Sequence, residues 1–292
     1  MYPKISIVTP TFNQGQYIEE TILSVLNQQY PNLEYIIIDG GSTDNTLDII
    51  KKYESKLTYW LSEKDNGQVD AINKGLKRCS GEIFNWLNSD DYLEPNALYE
   101  IAEKFKEGAD LVAGGARIFQ ENKTIETVFH KNLSAKSLMY WNNVQFVQPG
   151  VWMKRLHFIK SGGIDETLHF AFDWDLYIRY LSKFPQVNYS QKLLVHFRYH
   201  KNSKTVSLQE RFQNEETQII KKLSHIETDA SLKRIAKQRL TWFSTINKIK
   251  QINSSSKTTK LSKFISILTL FNSDTLFMWR AIMGSVRELF QH

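Results

Sequence analysis

The chain has 292 residues, 41% hydrophobic and 23% charged, with one cysteine and a formal net charge of +6. This composition suits a globular body large enough to bury a core, and the lone Cys79 excludes both an intramolecular disulfide and a cysteine-built zinc cluster. Residues 206–292 hold 14 Lys/Arg against 7 Asp/Glu, which leaves the first 205 residues at −1 and argues against a body that binds nucleic acid.

In chain order, Ile5 to Thr9 (ISIVT) reads as a short buried strand, and the following residues, Tyr17 to Leu26, place apolar side chains at helical spacing, with Pro31 beyond the helix. Tyr35 to Ile38 is a second buried strand. GGSTDNT then supplies turn glycines and N-cap candidates for a helix over Leu47 to Tyr53. Leu57 to Leu61 predicts a third strand, Val69 to Arg78 a helix, and Ile83 to Leu87 a fourth strand that runs into NSDD. Strands alternating with helices through short loops predict a mainly parallel, doubly wound α/β sheet. Ligands bind such sheets at the carboxyl ends of the strands. That edge is made here by TPTFN (9–13), DGGSTD (39–44), EKDNGQ (63–68) and NSDD (88–91).

Beyond Gly108 the pattern becomes mixed. Strands are expected at Leu111 to Ala113, Ala116 to Gln120, Thr124 to Phe129 and Leu193 to Tyr199, with helices at Ser134 to Tyr140 and Asp173 to Phe184. From Val206 the chain reads as helical and basic, with a break at SSSKTT (254–259) and two apolar helical segments after it. The expected organisation is an α/β domain over 1–205, whose pattern changes near residue 110, and a helical extension over 206–292.

Asp90 and Asp91 follow the apolar run FNWL directly. Adjacent carboxylates repel, and hard oxygen ligands of this kind suit Mg²⁺ or Mn²⁺ held together with substrate phosphates. The same residues also suit an ordinary surface turn, and the placement on the ligand edge is what favours a metal. No Walker loop and no G-x-G-x-x-G occurs, so a diphosphate would depend mainly on the metal. Asp39 can accept from a ring N–H or a ribose hydroxyl, or serve simply as a turn residue before Gly-Gly.

The ordered set VTPTFN, IIDGGSTDNT, EKDNGQVDAINKG, GEIFNWLNSDD and FDWDLYIRY resembles glycosyltransferase family 2, over roughly residues 3 to 205. The resemblance implies a GT-A fold: a Rossmann-like, mainly parallel central sheet flanked by helices. It also implies inverting transfer of a sugar from a nucleotide-diphosphate donor to a hydroxyl of a glycan or lipid-linked acceptor, with Mn²⁺ or Mg²⁺, in polysaccharide, O-antigen or capsule assembly. Matched residue by residue, Pro10 and Thr11 line the base pocket and Asp39 binds the base, which inclines the donor toward UDP or dTDP. Asp65 and Asn73 face the donor. Asp90 touches the ribose or the metal, Asp91 coordinates the metal, and His200 lies near both metal and diphosphate. Asp173 is the catalytic base. Asn88 stands where many members have the first Asp of a D-x-D pattern, which removes one charge.

Asp175 is the rival base, but two steps along a helix turns it away from Asp173. A sugar nucleotidyltransferase fits poorly, because TPTFNQGQY lacks a Gly-rich phosphate loop with basic residues. A non-catalytic nucleotide-sugar or glycan-binding module would not need a metal pair together with a separate base. The N-terminus lacks a signal-peptide apolar stretch and no apolar run reaches bilayer length, so a cytoplasmic placement is expected. The Lys-rich apolar extension is expected either to touch the inner face of the membrane or to pack on the body or a second copy.

Overall fold

A computed structural model describes residues 2–121, 123–140, 146–200, 209–226 and 229–254. Strand β1 (Ile5–Thr11) is buried along its whole length, as a strand covered on both faces must be. Helix α1 (Ile18–Leu26) follows, then β2 (Leu33–Asp39), α2 (Thr46–Tyr53), β3 (Tyr59–Ser62), α3 (Gln68–Leu76) and β4 (Ile83–Trp86). The four strands are parallel. Register pairs Thr11 with Asp39 and Asp39 with Ser62, so three strands end level and their loops share one edge. Helix α3 lies close on β1: a Cβ added to Gly75 would stand 2.5 Å from a methyl of Val8, so only glycine fits there.

The second half is mixed. It comprises β5 (Tyr92–Leu93), α4 (Ala97–Lys106), β6 (Leu111–Gln120), β7 (Lys123–Phe129), α5 (Ala135–Met139), β8 (Val151–Lys154), α6 (Arg155–Lys160), α7 (Phe172–Lys183) and β9 (Val187–Arg198). Among the described residues the nine strands form one sheet in the order β3-β2-β1-β4-β8-β6-β9-β5, with β7 paired to β6. β8 runs antiparallel to β4 and β6, while β9 runs parallel to β6 and carries β5 antiparallel on its other side.

Three local expectations change. Gly114-Gly115 does not separate two strands. β6 continues through it with an irregular register to β9, because a Cβ at Gly114 would meet Leu194 at 2.2 Å. β3 starts at Tyr59 because Leu57 N–H closes a turn on the Glu54 carbonyl. β9 starts at Val187, well before the run of apolar residues that marked it in the sequence. Helices α4 and α6 had no counterpart among the predicted elements.

The chain divides into two compact units, Met1–Phe212 and Gln213–His292. Helix α8 (Gln209–Ile226) crosses that boundary and α9 (Ala230–Ser254) follows it. Within the second unit Arg239 pairs with Glu216, and both are almost fully buried. Among the described residues no helix is long and apolar enough to cross a membrane. The two apolar segments beyond Ser254 lie outside the described residues, as do the membrane and self-association readings built on them.

At the amino ends of the strands Glu34 forms a buried polar knot. Lys4 Nζ lies 2.8 Å from its carboxylate, Ser80 N–H donates at 2.6 Å, and the hydroxyls of Ser6 and Ser80 donate at 2.5 and 2.9 Å. Burial raises the carboxyl's pKa, but these donors outweigh it and hold the value at about 2, below the ordinary 4.5. A depressed acid stabilises the fold above its unfolded value and loses that contribution as pH falls through its folded value. Thermal melting of the wild type should therefore weaken between pH 4.5 and about 2. Glu34→Gln should melt lower at pH 7, by roughly 2–3 kcal/mol, and lose less over the acid interval.

Candidate active site at the carboxyl edge of the sheet

The first two loops of this edge are tied to each other. Asn13, in the left-handed region at φ 52°, donates its N–H to Ser42 Oγ at 2.7 Å and accepts from Thr43 N–H at 2.9 Å. Gln14 N–H donates to Thr46 Oγ1 at 2.9 Å and Gly15 N–H to Asp44 at 3.0 Å. The polar run STDNT thus serves mainly to bind one loop to its neighbour, and Asn45 caps α2 without a side-chain bond. Pro10 and Thr11 close β1 beside this assembly. Thr11 is 5% exposed, and its hydroxyl, like Gln14 Oε1, is buried without a hydrogen-bond partner.

Asp39 is fully enclosed and occupied by its own turn. It accepts from Gly41 N–H (3.1 Å), Ser42 N–H (3.0 Å), Ser42 Oγ (2.5 Å) and Ser62 Oγ (2.7 Å). The carboxylate beside it belongs to Asp65. Both Asp65 oxygens lie 2.9 Å from where a Cβ on Gly40 would stand, so the missing side chain at Gly40 admits Asp65 to the edge. Asp65 accepts from Gly67 N–H at 2.8 Å and stays half-exposed, and burial raises its pKa against that bond. Gly40 N–H itself donates to the Thr11 carbonyl at 2.9 Å, which puts Asp65 next to the end of β1.

The NSDD turn separates its two carboxylates. Asp91 is 1% exposed: one oxygen accepts Arg198 N–H at 2.9 Å, the other the Asn88 amide at 3.3 Å. Burial and then the neighbouring Asp90 push Asp91 well above the usual carboxylate range, against these two donors. Asn88, the residue that departs from D-x-D, links Asp91 to Gln68, whose amide donates to Asn88 Oδ1 at 2.6 Å. Asp90 is 21% exposed and meets His200 Nε2 at 2.9 Å, across 110 residues of sequence. The Tyr17 ring lies 5.1 Å from the His200 ring.

On α7, Asp173 sits in the first turn, half-exposed, and accepts its neighbour Trp174 N–H at 2.7 Å. It is inside the helix and not its N-cap, which is Ala171. Asp175 is buried and paired with Arg179 at 2.6 Å. Arg179 also holds the carbonyls of Ser161 and Gly163, so Asp175 anchors the loop that precedes the helix. Asn73 donates to Glu166 of that loop at 3.0 Å. Trp86 and Trp152 are core residues, and Gln148 is buried against Asn85 and the Trp86 carbonyl.

Two residues with clear work at this edge were not among the sequence candidates. Thr21 Oγ1 donates to the carbonyls of Ser89 and Asp91 at 2.9 and 2.7 Å, and Arg198 Nε donates to the carbonyl between them, that of Asp90, at 2.9 Å. In FRYHKNS, Arg198 stands two places before His200 at the end of a strand, and that spacing puts both on one side of the chain.

Among the described residues no three of His, Cys, Asp and Glu converge to hold an ion unaided. Asp90 with His200 nevertheless fits a divalent ion that completes its shell with water and substrate phosphates, as Mg²⁺ and Mn²⁺ do.

Residues 6–171 match the model of the family described as Glycosyl transferase family 2. The chain is 35% identical over 148 residues to the poly(ribitol-phosphate) beta-N-acetylglucosaminyltransferase TarP of Staphylococcus aureus, covering 48% of this chain and 45% of that protein. It is 27% identical over 220 residues to the uncharacterized glycosyltransferase RT0329 of Rickettsia typhi, covering 68% of this chain and 64% of that one. It therefore spans less than two thirds of the length of either relative. In fold it is similar to S. aureus TarS 1–349, solved in complex with UDP-GlcNAc, with a TM-score of 0.69 at 19% identity over 99% of this chain and 90% of that one. The mannosyltransferase PcManGT of Pyrobaculum calidifontis, solved with GDP-Man and Mn²⁺, gives a TM-score of 0.62 at 17% identity, over 99% and 86%. The architecture is the GT-A type that the motifs implied, and the family match covers more than half of the chain: it belongs to glycosyl transferase family 2.

Proposed function

We propose that this protein transfers a sugar from a nucleoside-diphosphate donor to a hydroxyl of a glycan or lipid-linked acceptor, with inversion, in the synthesis of a cell-surface polysaccharide. The observation that carries the reading is the meeting of Asp90 and His200, both partly open, at the edge where the parallel strands end. TarP acts on a poly(ribitol-phosphate) and TarS is solved with UDP-GlcNAc, so UDP-N-acetylglucosamine is the first donor to test.

Asp90 and His200 would hold Mn²⁺ or Mg²⁺, which when bound supplies positive charge against the departing diphosphate. Asp91 supports the turn from within. The base lies over Pro10 and Thr11, where the unpartnered Thr11 hydroxyl is a buried polar group for a ligand to satisfy. Asp39 is committed to its turn, so Asp65 is the carboxylate able to accept a ring N–H, which favours uracil or thymine over cytosine. Asp173 takes the proton of the acceptor hydroxyl as that oxygen attacks the sugar from the face opposite the diphosphate. A single displacement of this kind inverts the anomeric carbon. Asp175 is closed off by Arg179 and does not compete for that role.

Calorimetric titration with UDP should show tight binding that needs Mn²⁺ and weakens by about tenfold or more in Asp90→Asn. Binding indifferent to both would remove the metal from this reading. Asp173→Asn should lower transfer by about 10²–10⁴-fold with UDP affinity unchanged, and a variant of near wild-type rate would rule Asp173 out as base. Asp65→Asn should weaken UDP by about tenfold and raise CDP relative to it. Asp39→Asn should instead lower the melting temperature, because its turn loses acceptors.

A further inference from the structure

Arg198 is the last residue of β9, and it binds the NSDD turn at both Asp90 and Asp91. Its N–H binds Asp91 and its Nε binds the Asp90 carbonyl, while its terminal nitrogen pairs with Glu20 of α1. The guanidinium lies 4.7 Å from the ring centroids of both Tyr17 and Phe119 and 5.9 Å from that of Tyr92. Tyr17 in turn touches the His200 ring, two residues beyond Arg198. Together, the Thr21 hydroxyl, shared between the carbonyls of Ser89 and Asp91, and Arg198 Nε on that of Asp90 reach three successive carbonyls.

An exposed ion pair with Glu20 alone would be worth little, since Glu20 is 54% exposed. A planar fork held between aromatic faces and aimed at a main-chain carbonyl is a device for fixing position. Rotation of the peptide between Asp90 and Asp91 would swing both carboxylates, and the bond from Arg198 Nε to the Asp90 carbonyl resists that rotation.

We propose that Arg198 is a positioning residue for the divalent ion: it holds Asp90 at the distance from His200 at which the two act as a pair. This rests on the assignment of Asp90 and His200 as metal ligands above. The proposal makes a prediction of sign. Arg198 carries a positive charge near a cation site, so by Coulomb repulsion alone its removal would tighten metal binding. If it acts by position, its removal weakens binding.

The test is Mn²⁺ affinity in the presence of saturating UDP, read from the electron paramagnetic resonance signal of free Mn²⁺. It compares wild type with Arg198→Met, Arg198→Lys and Glu20→Gln. Arg198→Met is expected to weaken Mn²⁺ by about tenfold or more. Arg198→Lys, which keeps the charge but loses the fork, should weaken it several-fold, and Glu20→Gln should stay within about twofold. The weak UDP binding that remains in EDTA should be the same in all four proteins, which a general loosening of the fold would not leave unchanged. Near-ultraviolet circular dichroism checks folding, and if Arg198→Met does not fold, Arg198→Lys decides. Equal or tighter Mn²⁺ binding in the Arg198 variants overturns the proposal while leaving the metal site standing. Absence of Mn²⁺ binding in the wild type overturns the metal site and this proposal with it.

Discussion

Asp90 and Asp91 share a peptide bond and a sign of charge, and the working edge is built around giving them different surroundings. One is drawn inward, against Arg198 N–H and Asn88, where burial disfavours its charged form. The other stays half-open beside His200. That division needs β4 to end where it does, α1 to present Thr21 from one side, and β9 to return more than a hundred residues later to present Arg198 and His200 from the other. Elsewhere in the first half the same logic sorts the acids of β2. Glu34 is saturated by Lys4, Ser6 and Ser80 at one end of the strand, and Asp39 by its own turn and Ser62 at the other. Both are held by the chain's own donors and shape the sheet. Of the acids proposed to act on substrate, Asp65, Asp90 and Asp173 each keep part of their carboxyl surface open.

Much of this was legible in the sequence because it is local. Short buried runs, ISIV in β1, YIII in β2 and IFNW in β4, announce these strands, and the loops that follow them fall at one edge by the logic of parallel sheets. The motifs named Asp39, Asp65, Asp90, Asp173 and His200 as a set. What could not be read is the commitment of each group, because hydrogen-bond partners come from distant segments. Nothing in DGGSTD says that Asp39 accepts from Ser42 and Ser62, or that the absent side chain of Gly40 lets in Asp65 from the next loop. Arg198 was overlooked for a similar reason, since its partners lie near residues 20 and 90 and no local pattern reports them.

The second half was harder for a different reason. Gly114-Gly115 has the composition of a turn, and turn chemistry is a sound guide where a chain reverses. Here Gly114 makes room for Leu194 of the neighbouring strand and Gly115 for the Phe129 ring, and β6 continues through them with a shift of register. Composition records that a side chain is missing but not whether the space is used for bending or for close packing. At Gly75, where α3 presses on Val8, the same ambiguity resolves the same way.

The bonds that tie residues 13–15 to residues 42–46 have a consequence for recognition. They join two loops that would otherwise each sample many conformations, and they do so with the chain's own groups. The entropy of ordering these loops is lost when the protein folds, so the nucleotide proposed to bind there would not have to order them again. Chemical variation in the ligand is then discriminated by a surface that does not yield. If this edge binds the donor as proposed, a base with the wrong pattern of donors and acceptors would meet fixed partners instead of loops able to rearrange around it.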